Sequence, residues 1–408
     1  MLTKQSTQVA IIGAGPSGAI AAALLHQHNI NVVVVEKSTF PRFSIGESLL
    51  PACMEVIKKA NMVVAVEEAE FQFKNGAAFH FDGQFSSFDF TNKFTPGAGT
   101  TFQVQRADFD KVLADQAAEQ GVEIRYQHNV TAIDLENRPL LTIEGNDQQP
   151  YQLEADFVLD ASGFGRVLPR LLNLEQPSTL PPRKAIFTHI EDNITADHFD
   201  RDKILISIHP TNRQVWFWLI PFSNGTCSLG VVGEPDFFKQ YPDDTIEALK
   251  QIASEEMNLN HILAQAVYPN PGGDIMGYSA NVTSLCSDKF ALLGNAGEFL
   301  DPVFSSGVTI AMKSAEIASE LLVAQFSGQQ VDWNRDYTDE LMRGVDAFRC
   351  YVEGWYSGEF QDVVLHQNAN PKIKQMICSI LAGYAWDNNN PFVTEPHRRL
   401  TTVVELCR

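Results

Sequence analysis

Apolar and polar residues alternate with two different periods along this chain, and the changes of period mark its elements. Val9 to Ile12 is a short, wholly apolar run, the pattern of a parallel strand buried on both faces. Glycines follow at Gly13, Gly15 and Gly18, with Pro16 and Ser17 between, and Ala19 to Gln27 reads as an alanine-rich helix. A second apolar run, Val32 to Val35, closes on Glu36. Strand, glycine turn, helix and strand make a β-α-β unit that binds a dinucleotide. Gly13 permits the tight turn, Gly15 lets the backbone approach a pyrophosphate, and Gly18 lets helix and strand pack closely. The whole turn, with Ala14, Pro16 and Ser17, is therefore a candidate cofactor site, where unbonded N–H groups and the helix dipole face phosphates. Glu36, with Lys37 beside it, stands where a carboxylate accepts ribose hydroxyls and disfavours a 2′-phosphate. The motif alone does not separate FAD from NAD.

Beyond this unit, Pro41 stops regular structure, and Arg42 is placed to reach the phosphates. Gly46-Glu47-Ser48 is expected to open a helix with Ser48 as its cap. Residues 70–90 alternate strongly, as a strand does. Phe71, Phe73, Ala77, Phe79 and Phe81 fall on one face, expected to be core. Gln72, Lys74, Gly76, Ala78 and His80 fall on the other, expected to line a cavity around the lysine, with His80 packed or solvated. Residues 103–121, including Arg106, read as an amphipathic helix ended by Gly121, followed by strands at 122–126 and 128–135, the second containing Val130. Residues 156–166 read as an apolar strand stopping at Asp160, then Ala161 and small residues. Several β-like runs fill 181–287, and 290–297 is a buried strand ending in glycines. A loop then feeds a long helix, and the tail from Val331 is helical and aromatic.

Composition adds bounds. A chain of 408 residues can bury two packed domains. The net charge of −20 argues against a nucleic-acid partner and is read as a solubility feature. Six scattered cysteines, none in C-x-x-C spacing, indicate neither a metal site nor a disulfide framework. No apolar run is long enough for an integral membrane segment, and a reducing cytoplasm is the expected location.

Three segments together resemble the glutathione-reductase-type FAD proteins of the p-hydroxybenzoate hydroxylase group. They are the glycine motif with Glu36, the DASGFGR loop at 160–166 with Ala161 in place of the group's glycine, and LLGNAGEFLDPVFSSG, in which Asn295 replaces the usual aspartate. Within that group the chain resembles the flavin-dependent halogenases; at 408 residues it is shorter than the tryptophan halogenases of that family and looks more like its compact phenol or pyrrole halogenases. Trp216-Phe217-Trp218-Leu219-Ile220-Pro221 matches their W-x-W-x-I-P motif, and Phe299, Pro302, Ser305 and Gly307 match F-x-x-P-x-x-S-x-G. Gly46-Glu47-Ser48 matches their G-E-S loop, and Lys74 their active-site lysine.

The resemblance implies an α/β (α+β) fold with a Rossmann-type FAD-binding domain at 1–70, 100–180 and 285–330. A β-rich substrate domain at 71–99 and 181–284 is interleaved with it, and a helical C-terminal region spans 331–408. FAD contacts are expected from the glycine turn, Glu36, Lys37, Arg42, Gly46, Glu47, Ser48, Arg106, Val130, Asp160, Ala161, Asn295, Pro302, Ser305, Gly307 and Val308. Trp216 and Trp218 would stand on the substrate side, and Lys74 would be catalytic. The implied chemistry uses reduced flavin from a separate flavin reductase and O2, through a flavin hydroperoxide. Halide near Ser305 to Val308 becomes hypohalous acid, which modifies an electron-rich aromatic substrate, free, carrier-tethered or protein-bound. The rival is an FAD monooxygenase that hydroxylates an aromatic group, such as a partner protein's tryptophan during tryptophylquinone maturation. A third reading is a non-catalytic redox or assembly partner.

Overall fold

Val9–Ile12 lies at the centre of a five-stranded parallel sheet, ordered Phe290–Leu292, Phe157–Asp160, Val9–Ile12, Val32–Glu36, Glu123–Tyr126. The computed structural model describes residues 2–146, 148–195 and 199–407. Both faces of the central strands are buried, which is why they read as unbroken apolar runs. Helix Pro16–Gln27 packs on this sheet and against helices Arg106–Glu119 and Ser306–Phe326. A four-stranded sheet, Thr3–Ser6, Gln148–Glu154, Leu140–Gly145 and His128–Asp134, lies beside it. Its first strand is polar and exposed, so no apolar pattern announces it.

The third large sheet has seven strands, ordered Gly273–Met276, Lys184–Glu191, Thr226–Gly233, Trp216–Pro221, Lys203–Ile208, Gly76–Phe81, Gln84–Asp89. All its pairings are antiparallel except that of Gly76–Phe81 with Lys203–Ile208. Period-two alternation in Trp216–Pro221 sorts its residues between two cores. Phe217 and Leu219 pack with helices Thr245–Glu255 and Met257–Ile262. Trp216, Trp218 and Ile220 join the main core instead. The tail is helical as expected, with Glu340–Tyr356, Glu359–Leu365, Pro371–Leu381 and Pro396–Cys407.

Two expectations fail locally. Ser48 caps no helix: its backbone pairs with Gln103, and Leu49 N–H donates to the Phe102 carbonyl at 3.1 Å. The stretch is held by this isolated bridge, and the helix waits until Ala52, after Pro51. Residues 70–90 are not one strand. Gln72–Lys74 pairs with Thr101–Gln103, whereas Gly76–Phe81 belongs to the seven-stranded sheet. Asn75, between them, donates its N–H to the Asp202 carbonyl at 2.8 Å and accepts from Phe90 N–H at 2.7 Å. The switch of sheets breaks the alternation, so Phe73 is 42% exposed and Lys74 is fully buried. His80 is also buried, its Nδ1 2.9 Å from Glu256 Oε1.

Candidate functional site

A single long cleft gathers most of the residues singled out from the sequence. One end is built on the glycine turn. Gly13 has φ +99°, and a Cβ there would lie 2.6 Å from the Ala161 carbonyl oxygen. A Cβ on Gly18 would lie 1.9 Å from the Gly13 carbonyl oxygen, so helix and turn touch backbone to backbone. Glu36 is buried at the end of its strand; its Oε2 accepts Ala14 N–H and its Oε1 accepts Ser38 N–H, both at 2.9 Å. The carboxylate thereby braces the turn and keeps further lone pairs for hydroxyls. Arg106 donates to Asp110 through Nε at 2.7 Å and to the Ile45 carbonyl through Nη1 at 2.6 Å, which fixes the 45–48 loop at the cleft wall. Arg42 lies 3.5 Å from Asp110 and also faces the cleft.

Of the expected cofactor contacts, Gly13, Gly15, Pro16, Ser17, Glu36, Lys37, Arg42, Gly46, Glu47, Ser48, Arg106 and Val130 line this cleft. So do Ala161, Asn295, Pro302, Ser305, Gly307 and Val308. Ala14, Gly18 and Asp160 do not line it. Asp160 is buried beneath the wall, where its carboxylate accepts Ser162 N–H at 2.9 Å and Leu168 N–H at 2.6 Å and shapes the neighbouring loop. Burial raises its pKa.

The other end is apolar, walled by Phe187, Ile204, Trp216, Trp218 and Ile220. Both indoles are pinned: Trp216 Nε1 donates to the Tyr356 hydroxyl at 3.1 Å, and Trp218 Nε1 to Ser228 Oγ at 3.0 Å. Gly230 leaves the room that Trp218 fills, since a Cβ there would come within 2.2 Å of the indole. Ser305 at φ +56° turns the chain into helix Ser306–Phe326, whose first turn lines the cleft at Gly307 and Val308.

Lys74 does not line the cleft. It lies behind Ser48, donating to Ser48 Oγ at 2.7 Å and to the Leu49 carbonyl at 2.8 Å. Complete burial pushes its pKa down to about 7. Two further arrangements had no sequence motif. His189 Nε2 lies 2.7 Å from Glu47 Oε1, tying the seven-stranded sheet to the G-E-S loop. Asp301, buried next to Pro302, accepts from the hydroxyls of Tyr356 at 2.8 Å and Tyr278 at 3.3 Å. Their partners lie 142, 55 and 23 residues away in sequence, so spacing carries no signal of them.

Among the described residues, no group of His, Cys, Asp and Glu is arranged to hold a metal ion, and no helix is long and apolar enough to cross a membrane. The backbone-lined turn at one end, the carboxylate at the strand end and the loop at 294–308 fit the elongated shape and phosphates of FAD.

Comparison with known proteins agrees. The family model described as FAD binding domain matches residues 6–340. The chain is 26% identical to a 1H-pyrrole-2-carbonyl-[peptidyl-carrier protein] chlorinase of Pseudomonas fluorescens, covering 97% of this chain and 93% of that protein. It is 28% identical to the corresponding brominase of Pseudoalteromonas luteoviolacea, covering 94% and 93%. Its fold superposes on a flavoprotein/dehydrogenase of Cytophaga hutchinsonii with a TM-score of 0.95, at 41% identity over 99% of both chains. A flavin-dependent brominase superposes with a TM-score of 0.85 at 24% identity, over 99% of this chain and 100% of that one, a likeness of fold. The chain belongs to the FAD-binding domain family, and it is an FAD-dependent oxidoreductase of the halogenase-like branch.

Proposed function

We propose that this protein halogenates a small electron-rich aromatic substrate, using reduced FAD and O2. The observation that carries the reading is the cleft itself, which runs from the nucleotide turn to an apolar chamber walled by Trp216 and Trp218, with the buried Lys74 behind it. Bound reduced FAD supplies the activation of dioxygen that converts halide into an electrophilic halogen. The chain's own residues do the rest. The N–H groups opening helix Ser306–Phe326 suit a halide. The fixed indoles hold an aromatic ring by its faces and exclude water. Lys74 supplies a cation that titrates near neutrality, suited to proton handling.

The named activity of the Pseudomonas and Pseudoalteromonas relatives points to a pyrrole-like substrate, carried on a peptidyl carrier protein or free. A separate flavin reductase is the proposed electron source, because the sequence carries a single dinucleotide motif. Hydroxylation of a protein tryptophan is less favoured, because the relatives named here are halogenases.

The test is turnover with FAD, a flavin reductase, NADPH, O2 and chloride or bromide over pyrroles and phenols, followed by mass spectrometry. A halogen isotope pattern is expected. A product that gains only oxygen overturns the reading in favour of a monooxygenase. Rapid flavin bleaching by NADPH alone, under anaerobic stopped-flow mixing, removes the need for a reductase.

A further inference from the structure

We propose that Ser48 is the hydroxyl that meets the reacting species, and that Lys74 is a positioning residue that acts through it. The inference deepens, and rests on, the halogenase-like reading of the same cleft. A lysine has three N–H donors. One goes to Ser48 Oγ at 2.7 Å and another to the Leu49 carbonyl at 2.8 Å. The ammonium also lies 5.5 Å from the centroid of the Phe90 ring. The lysine side chain is fully buried and absent from the cleft wall, whereas Ser48 is part of that wall.

A serine hydroxyl has one donor and two acceptor positions. Because Ser48 Oγ accepts from Lys74, its own proton must point elsewhere. Among the described residues no protein acceptor takes it. The vacant donor direction belongs to whatever fills the cleft beside it, and a hydroxyl that accepts from a cation in a low-dielectric site is a strengthened donor.

The chemistry balances with hypohalous acid as the oxidant. The C–X bond forms as the X–O bond breaks, and the departing hydroxide takes the Ser48 proton to become water. Ser48 takes a proton from Lys74, the ring proton passes to water, and Lys74 is recharged along the same path. A lysine held at about 7 can give and regain a proton near neutral pH. Cys53 is the titratable neighbour acting on Lys74, and its own burial raises its pKa.

The experiment compares wild type with Ser48→Ala and Ser48→Thr, each first titrated with FAD. Ser48→Ala is expected to retain FAD, to lose product formation by on the order of 10²-fold, and to release hypohalous acid instead. Ser48→Thr, which keeps the hydroxyl, is expected to recover most of the loss. A second readout needs no cofactor: ¹⁵N NMR titration of the Lys74 side chain. In Ser48→Ala the ammonium loses an acceptor, so its midpoint should fall below that of wild type. Product formation by Ser48→Ala within about threefold of wild type overturns the proposal. So does an unchanged Lys74 midpoint, or a Ser48→Ala protein that no longer holds FAD, since the hydroxyl then serves the cofactor. Failure of the underlying reading is seen in wild type alone, as oxygen gain without halogen.

Discussion

The Tyr356 hydroxyl donates to Oδ2 of Asp301 at 2.8 Å while accepting the Trp216 indole N–H at 3.1 Å. One phenol thus joins helix Glu340–Tyr356, the loop next to Pro302 and the wall of the apolar chamber. Burial pushes the Asp301 carboxyl up to about 6, against the pull of the Val303 N–H and the Tyr356 hydroxyl. A raised carboxyl contributes stability below its unfolded value and loses that contribution as pH rises through the folded one. Tyr356→Phe removes a donor that favours the ionised form and leaves the Trp216 N–H unpaired. The expected cost is about 2–3 kcal/mol above pH 6, and less near pH 4. Denaturant unfolding at the two pH values checks it; an equal cost at both contradicts the ionisation of Asp301.

Gly18→Ala should abolish FAD binding. Its Cβ would sit 1.9 Å from the Gly13 carbonyl oxygen, so the turn must open by more than an ångström to admit it. The destabilisation should be roughly 3 kcal/mol or more, because backbone on both sides has no slack. Flavin fluorescence titration of the variant is the measurement. Retention of FAD with wild-type affinity would mean that the turn does not hold the nucleotide.

The parallel sheet and its glycine turn were legible because each strand is buried on both faces, leaving unbroken apolar runs between glycines that the turn geometry requires. Trp216 and Trp218 were legible through their motif, and the structure puts both on the main-core face of their strand. The site failed to declare itself where long-range contacts override local pattern. Lys74 reads as cavity-lining when 70–90 is taken as one strand, but the change of sheet at Asn75 turns it behind Ser48. Ser48 reads as a helix cap but is held extended by its pairing with Gln103. His189 sits in a mostly buried strand that gives no hint of Glu47, which approaches from another element.

That His189–Glu47 contact predicts a pH-dependent clamp on the G-E-S loop. Burial pulls the imidazole down, but the hydrogen bond and charge of Glu47 outweigh it, and the net shift is upward. A raised histidine contributes stability below its unfolded pKa and loses it as pH rises through the folded one. His189→Gln should therefore be most destabilising at acidic pH, and the gap to wild type should close at alkaline pH. FAD retention should follow the same course, because Glu47 lines the cleft. Thermal unfolding and FAD titration across pH measure both; a gap independent of pH would show that His189 acts only as a neutral packing group.

Lys74→Met separates the cost of the lysine from its use. The ammonium is fully buried with neutral oxygens as partners and, among the described residues, no carboxylate against it. A lysine whose folded pKa lies near 7 rather than 10.5 binds fewer protons when folded than when unfolded. Wild-type stability should therefore rise between those values, as the penalty of holding the charge is relieved. Methionine fills similar volume without a charge, so the variant should be more stable than wild type by about 1–4 kcal/mol below pH 7. That advantage should shrink as pH climbs toward 10.5, and product formation should fall on the order of 10²-fold below pH 7, a deficit that narrows as wild-type Lys74 loses its proton at higher pH. Calorimetry from acid to alkaline pH, alongside turnover, tests both halves. A variant less stable than wild type below pH 7 would show that the lysine serves the fold, and one active at the wild-type rate would remove it from the chemistry.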